Sequence, residues 1–141
     1  MSLCQNNKRL KIGEIYYMKF SGSGSEQNGW RPGLVFQNNV GNAYSPNIIA
    51  LPLTSCLKKV DQPTHVVLSA QETGLKRDSM VLCENPERMS KDRVGEYITT
   101  VSDFYMGKIA TASLLATSAI SFINPELLVV IWDEATKLNS K

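Results

Sequence analysis

The sequence predicts an α+β domain that is mainly β, a small barrel or curled sheet with one helix packed on it. Short runs of aliphatic and aromatic residues, separated by turn-forming residues, recur from Gly13 to Thr99, whereas a helical period begins only at Ser102. Many short strands followed by one late helix are typical of such a fold. Since neither a repeat nor a dividing linker interrupts the 141 residues, we expect a single domain over residues 1–141.

The strands are predicted from short segments rich in β-branched and aromatic residues. They are Gly13–Phe20, Leu34–Phe36, Asn47–Leu53, Thr64–Leu68, Ser79–Glu84 and Val94–Thr99. Pro52 cannot donate to a ladder and therefore predicts an edge or a break in the third strand. Asn38–Pro46 is predicted to be a polar connection and Met89–Arg93 a turn, because both are rich in turn-forming or charged residues.

The helix is predicted from apolar residues that recur four and three positions apart, with Ser102 as the N-cap. These residues are Tyr105, Ile109, Ala112, Ala116 and Ala119.

Composition excludes several classes of protein. Hydrophobic residues make up 43% and charged residues 20%, and no apolar run approaches the ~20 residues of a membrane span, so we expect a cytoplasmic protein with no membrane partner. The three cysteines, Cys4, Cys56 and Cys83, are far apart and lack a CxxC pair, which supports neither a disulfide scaffold nor a zinc site. A net charge of +2 means that any polyanion site is a local patch.

One stretch points to phosphate chemistry. A loop rich in glycine and serine leads to Arg31, which Pro32 biases towards an extended conformation, and Thr54 and Ser55 place hydroxyls at the end of the next strand. A guanidinium can make two parallel hydrogen bonds to a phosphate. The alternative is a loop arginine paired with Glu26.

Five stretches in order resemble the MazF/PemK family of toxin ribonucleases, from about Lys11 to Ala119. They are Gly13–Tyr16, Gly24–Pro32, Gln37–Ser55, Pro63–Val66 and Gly74–Asn85. The resemblance implies an SH3-like β-barrel of the CcdB/MazF/PemK type over about residues 11–120, with a C-terminal extension at 121–141. It also implies sequence-specific cleavage of single-stranded messenger RNA without a metal or cofactor, leaving a 2′,3′-cyclic phosphate and a 5′-hydroxyl. The implied partners are a second copy and a cognate antitoxin, with which the toxin binds DNA.

The resemblance also assigns site residues. The family's catalytic arginine and threonine correspond to Arg31 and Thr54, its RNA-contacting loop to Ser25, Glu26 and Gln27, and its base-reading strand end to Glu84 and Asn85. Leu82 stands where one branch carries a second arginine, which places the chain nearer the MazF branch.

The residue types suit this chemistry, because the 2′-hydroxyl of RNA is the nucleophile and the protein supplies a base, an acid and charge stabilisation. Arg31 is expected to stabilise the phosphate charge, with hydrogen bonds from Thr54 and Ser55. Glu26 or Glu84 is expected to be the general base that takes the proton of the 2′-hydroxyl. Trp30 can stack on a nucleobase. The lone histidine, His65, is expected to be structural.

Two other functions remain possible from the sequence. A gyrase-poisoning toxin of the CcdB type uses its extreme C-terminus, but Lys137–Lys141 lacks the aromatic and glycine ending of those toxins. An inactive binding module is disfavoured because Arg31, Thr54 and Glu26 are all present.

The C-terminal extension could be helical from Asn124, or could form a strand over Leu127–Trp132. That uncharged apolar run should be buried, on its own barrel or on a second subunit. We expect it to cover the dimer seam or a sheet edge.

Overall fold

The computed structural model describes residues 9–21 and 29–140 and shows an antiparallel sheet with helices around it, so the predicted fold class is confirmed. The strands are β1 (Glu14–Lys19), β2 (Trp30–Val35), β3 (Asn47–Thr54), β4 (His65–Leu68), β5 (Ser79–Leu82), β6 (Glu87–Ser90) and β7 (Val94–Thr100). The α-helices are α1 (Asn39–Tyr44), α2 (Ala70–Thr73), α3 (Asp103–Ala116) and α4 (Leu128–Asn139). Single turns of 3-10 helix lie at Lys91–Arg93, Ala119–Phe122 and Pro125–Leu127.

The strand order is β4-β5-β3-β2-β1-β7, and β6 pairs with the first half of β3. The central strand β3 therefore has β2 on one side and two partners on the other, β6 along Asn47–Ala50 and β5 along Leu53–Thr54. Pro52 lies between those two ladders, so the predicted break is present, although the strand is internal and not an edge.

Alternation along the strands sends side chains into two apolar clusters. Ile15, Leu34 and Leu53 belong to a cluster that α3 closes with Ile109 and Ala112. The second cluster lies on the opposite side of β1 and β2 and includes Met18. The sheet around the predicted catalytic residues is therefore packed on both faces.

The predicted connection at Asn38–Pro46 is wrong in part, because it contains the helix α1. The side chain of Asn38 caps this helix by accepting a hydrogen bond from the amide of Gly41 at 2.8 Å. Asn42 is fully buried and donates to the carbonyl of Gln37 at 2.7 Å. The asparagines that suggested a turn are thus a cap and a buried hydrogen-bonding residue.

The predicted turn at Met89–Arg93 is also wrong in part. Its first residues complete β6, since Met89 is buried in the second cluster and pairs with Ile48 of β3. The turn begins only at Lys91. Among the other boundaries, β2 begins earlier than predicted, β5 ends at Leu82 rather than Glu84, and the short helix α2 was not predicted.

The predicted helix begins at Asp103, and the hydroxyl of Ser102 caps it by accepting from the amide of Tyr105. It ends at Ala116 because Thr117 is extended, so Ala119 lies in a 3-10 turn beyond it. The extension is helical, which decides between the two alternatives for its structure. Within the described part of the chain, no helix has the length and apolar character needed to cross a membrane.

Candidate active site

The register of β2 and β3 brings Arg31 and Thr54 to one face of the sheet. The ladder pairs Val35 with Ala50 and Gly33 with Pro52. The ladder ends at this pair, and continuing its register by two residues would set Arg31 opposite Thr54, where β3 pairs with β5. Because alternate residues of a strand share a face, both side chains lie on the face of Gly33. The two residues that the resemblance assigns to catalysis therefore lie at the same end of two adjacent strands.

Arg31 is half-buried and is supported by the strand beside it. Its Cζ atom lies 5.6 Å from the centroid of the Phe20 ring, within the range of a cation–π contact. In the β1–β2 ladder it stands opposite Met18, whose side chain is fully buried. The guanidinium therefore rests on an apolar base, which restricts its orientation.

Gly33 gives Phe20 room to lie under Arg31. A Cβ atom at position 33 would come within 2.6 Å of the Met18 sulfur and 2.7 Å of the Phe20 Cζ atom. Any larger residue would displace one of those side chains. Phe20, Met18 and Gly33 were not predicted as site residues, although the alternation of Tyr16, Met18 and Phe20 already put them on one face.

Thr54 presents its hydroxyl as a hydrogen-bond donor. Its Oγ1 atom accepts from the amide of Cys56 at 3.1 Å, which leaves the hydroxyl hydrogen available to an oxygen outside the protein. Thr54 is half-buried at the end of β3, and Ser55 beside it is exposed. A phosphate near Arg31 could therefore receive hydrogen bonds from both strands.

Glu84 is paired with His65. Its Oε2 atom lies 2.8 Å from Nε2 of the ring, whose Nδ1 atom lies 2.9 Å from the carbonyl of Lys59. The Glu84 carboxylate and the Lys59 carbonyl can both accept a hydrogen bond from the ring when each ring nitrogen carries a proton. Burial opposes ionisation of the carboxylate, but the hydrogen bond from His65, with smaller contributions from the Glu84 backbone, Thr64 and the His65 charge, holds the pKa of Glu84 below its ordinary value. His65 therefore joins β4 to the loop before it and to the end of β5.

Trp30 and Asn85, two further predicted RNA contacts, are both exposed. Trp30 points to the opposite face of β2, where it is 43% exposed and borders a cavity of about 420 Å³ with Tyr17, Gly95 and Glu96. Asn85 is exposed in the turn after β5, and its amide donates to the carbonyl of Leu82. A nucleobase could reach Trp30 only by leaving the face that carries Arg31.

The predicted contacts Ser25, Glu26 and Gln27 lie outside the described residues. Gly29, where the description resumes, has a φ of +78°, and its carbonyl accepts from the amide of Phe20 at 2.8 Å. This bond extends the β1–β2 ladder to the point where the loop joins β2. The loop is therefore attached one residue before Trp30.

A larger cavity of about 600 Å³ lies between β4 and α3, lined in part by His65, Val67 and Lys108. It includes neither Arg31 nor Thr54. The larger cavity does not mark the candidate site, because single-stranded nucleic acid binds along open grooves.

Comparison with known proteins finds relatives that are similar in sequence over most of the chain. The chain is 38% identical over 114 residues to Endoribonuclease EndoA of Bacillus subtilis, covering 80% of this chain and 98% of EndoA. It is 36% identical over 104 residues to Endoribonuclease MazF of Staphylococcus saprophyticus, covering 73% of this chain and 87% of that protein.

A solved structure of an endoribonuclease in complex with its cognate antitoxin, from a mycobacterial species, is 25% identical with a TM-score of 0.62. The match covers 82% of this chain and 99% of that one. Residues 11–115 match the family described as PemK-like, MazF-like toxin of type II toxin-antitoxin system. With the fold and the relatives in agreement, the chain belongs to this toxin family.

Proposed function

We propose that this protein is a toxin endoribonuclease that cuts single-stranded messenger RNA at specific sequences by a metal-independent mechanism. The observation that carries the proposal is the position of Arg31 and Thr54 at the same end of the adjacent strands β2 and β3. The curated relatives are named endoribonucleases, which supports this activity over the gyrase-poisoning alternative.

The chemistry uses the substrate's own nucleophile. The 2′-oxygen forms a bond to phosphorus as its proton passes to a base, and the bond from phosphorus to the 5′-oxygen breaks as that oxygen takes a proton. The products are a 2′,3′-cyclic phosphate and a 5′-hydroxyl. Water is neither added nor removed in this step, and no electron acceptor is needed.

Arg31 and Thr54 stabilise the charge that builds on the non-bridging oxygens. Arg31 offers a fixed cation over Phe20, and Thr54 offers a hydroxyl hydrogen from the neighbouring strand. Ser55 is a further donor at the exposed strand end. Glu26 is the better candidate for the base, because the ion pair with His65 lowers the pKa of Glu84 and makes it a weaker base.

RNA recognition is assigned to residues around this face. Ser25 and Gln27 would contact the RNA from the loop before β2, with Glu84 and Asn85 at the end of β5. The exposed part of Trp30 suits stacking of a base that passes around the start of β2.

A second copy of the chain and a cognate antitoxin are the proposed protein partners. The mycobacterial relative was solved with its cognate antitoxin, which supports an antitoxin here. Since messenger RNA is the proposed substrate, the protein acts in the cytoplasm.

The test is incubation of the purified protein with a long RNA in EDTA, followed by mapping of both new ends. We expect a few defined cuts, each with a cyclic phosphate on one fragment and a 5′-hydroxyl on the other. Gyrase with supercoiled DNA serves as the parallel assay for the alternative. Intact RNA together with trapped gyrase-DNA complexes would reject the proposal in favour of that alternative.

A further inference from the structure

The loop that joins β3 to β4, Ser55–Thr64, begins directly after Thr54 and leads into His65, the first residue of β4. Its two lysines, Lys58 and Lys59, are exposed. Lysines beside a site for RNA attract its phosphates. The contacts that hold this loop in place therefore affect how tightly RNA would bind.

Lys59 has a backbone conformation that needs support. Its φ is +54°, and among the residues that the structure describes it is the only one other than glycine with a positive φ. A residue with a side chain adopts this left-handed conformation at a cost in free energy, so neighbouring contacts must hold it. The carbonyl of Lys59 accepts from the amide of Gln62 at 3.0 Å and lies 2.9 Å from Nδ1 of His65. The first bond is local, whereas the second ties the middle of the loop to β4.

The same ring holds the end of β5. Its Nε2 atom lies 2.8 Å from Oε2 of Glu84, whose other carboxylate oxygen is buried. Asn85 follows Glu84 directly and is exposed. Of the two residues that the resemblance assigns to base reading, Asn85 is therefore the one more open to a nucleobase. The contact between Glu84 and His65 fixes the strand end from which Asn85 projects.

His65 itself is shielded from a substrate. Its side chain is 7% exposed, against 31% for the side chain of Glu84. Each ring nitrogen lies within hydrogen-bond distance of a protein oxygen, so neither is left to exchange a proton with RNA. The ring can therefore act on RNA only through the two segments that it holds.

We propose that His65 is a positioning residue for RNA binding. By donating to Lys59 and to Glu84 at once, the ring fixes the basic loop against the end of β5. The loop supplies the positive charge that RNA phosphates require, and Asn85 supplies the amide that can read the edge of an unstacked nucleobase. This inference deepens the proposed function and rests on it, because it assigns a role within the same RNA site.

Two substitutions separate the two contacts of the ring. The amide nitrogen of a glutamine side chain lies at about the place of Nε2, and that of an asparagine at about the place of Nδ1. His65→Gln therefore retains a donor for Glu84 and loses the donor for Lys59, whereas His65→Asn does the reverse. Each variant keeps one of the two hydrogen bonds, and circular dichroism confirms that it is folded.

Release of the loop should weaken RNA binding without slowing the chemistry. For His65→Gln we expect KM to rise at least about fivefold at unchanged kcat, because the lost contact serves substrate and transition state equally. The dependence of log KM on log salt concentration should become shallower by about 1–2, since two lysines lose their phosphates. Adding Lys58→Ala and Lys59→Ala should reduce this salt dependence in the wild type and have no further effect in His65→Gln.

Release of the strand end should change the choice of sequence instead. His65→Asn should keep the wild-type salt dependence but cut a long RNA at positions that the wild type leaves intact, as Asn85→Ala should. Wild-type KM, salt dependence and cut positions in both His65 variants would overturn the proposal, and so would the same change in both. A wild-type protein that leaves RNA uncut in EDTA would reject the proposed function, and the role of His65 with it.

Discussion

The strands that carry Arg31 and the helix α4 differ in what holds them in place. Arg31 lies in the β1–β2 ladder, with buried Met18 opposite and the ring of Phe20 below. The helix α4 is exposed along its whole length and is tied to the barrel by Asn139 at its last turn. The barrel is specified by its own core, whereas α4 contributes no side chain to either of the described core clusters.

A cavity in the core should destabilise the barrel, whereas removal of the extension should not. Leu34 is fully buried in the cluster closed by α3, so Leu34→Ala should lower the free energy of unfolding by about 2–5 kcal/mol. Deletion of residues 125–141 should leave the unfolding transition of the barrel nearly unchanged and weaken self-association. Chemical denaturation of both variants measures the free energy of unfolding, and sedimentation of the deletion variant measures self-association. A deletion variant that does not fold would show that α4 belongs to the core.

Arg31→Ala should remove catalysis while the barrel stays folded. Loss of one donor to a developing oxyanion reduces kcat by roughly 10²–10³, or about 2.7–4 kcal/mol of barrier lowering. Arg88→Ala is the matched control, because Arg88 is an exposed arginine of β6. Single-turnover cleavage of one RNA measures both variants, with circular dichroism to confirm folding. Wild-type rates from Arg31→Ala would leave this residue as a structural arginine.

Gly33→Ala tests whether the support under Arg31 matters. The added methyl group would displace Met18 or Phe20, and overpacking of this kind lowers stability by about 1–3 kcal/mol. Cleavage should also fall, because the ring that orients Arg31 moves. Gly107→Ala is the control, since a Cβ atom there meets nothing within 4 Å. If Gly33→Ala loses stability but cleaves at the wild-type rate, Phe20 does not position Arg31.

The smallest effect is expected from the pair between His65 and Glu84. The folded-state pKa of Glu84 lies below its ordinary value of 4.5, so its contribution to stability is present above pH 4.5 and is lost as the pH falls through the folded value. The stability difference between wild type and Glu84→Gln should therefore shrink on acidification below 4.5. Denaturation curves from pH 7 to pH 3 measure it, with exposed Glu134→Gln as the control. A stability difference that is independent of pH would show that the pair between His65 and Glu84 does not stabilise the fold.

The sequence predicted the strands well where apolar residues alternate, and the cap at Ser102 located α3. It failed where polar residues have buried partners. Asn42 suggests a turn in isolation, but the structure buries it against Gln37. Likewise, β6 could not be separated from a turn, because its pairing with β3 joins distant residues.

For the site, the resemblance assigned catalysis to Arg31 and Thr54, and only the pairing of β2 with β3 brings them to the same end of adjacent strands. Proximity across strands depends on long-range pairing, which local patterns do not contain. The partner of Glu84 was missed for the same reason, since His65 lies 19 residues away in sequence. The catalytic roles of Arg31, Thr54 and Glu26 remain predictions.

The central claim is that the barrel uses the 2′-hydroxyl of RNA as its nucleophile, and one substitution in the substrate tests it. Two RNAs of the same sequence are compared in EDTA, one of which carries a single 2′-deoxy sugar on the 5′ side of the mapped cut. We expect cleavage of the all-ribose strand to a 2′,3′-cyclic phosphate and no cleavage of the other at that position. Cleavage of the 2′-deoxy strand at the same bond would contradict the mechanism.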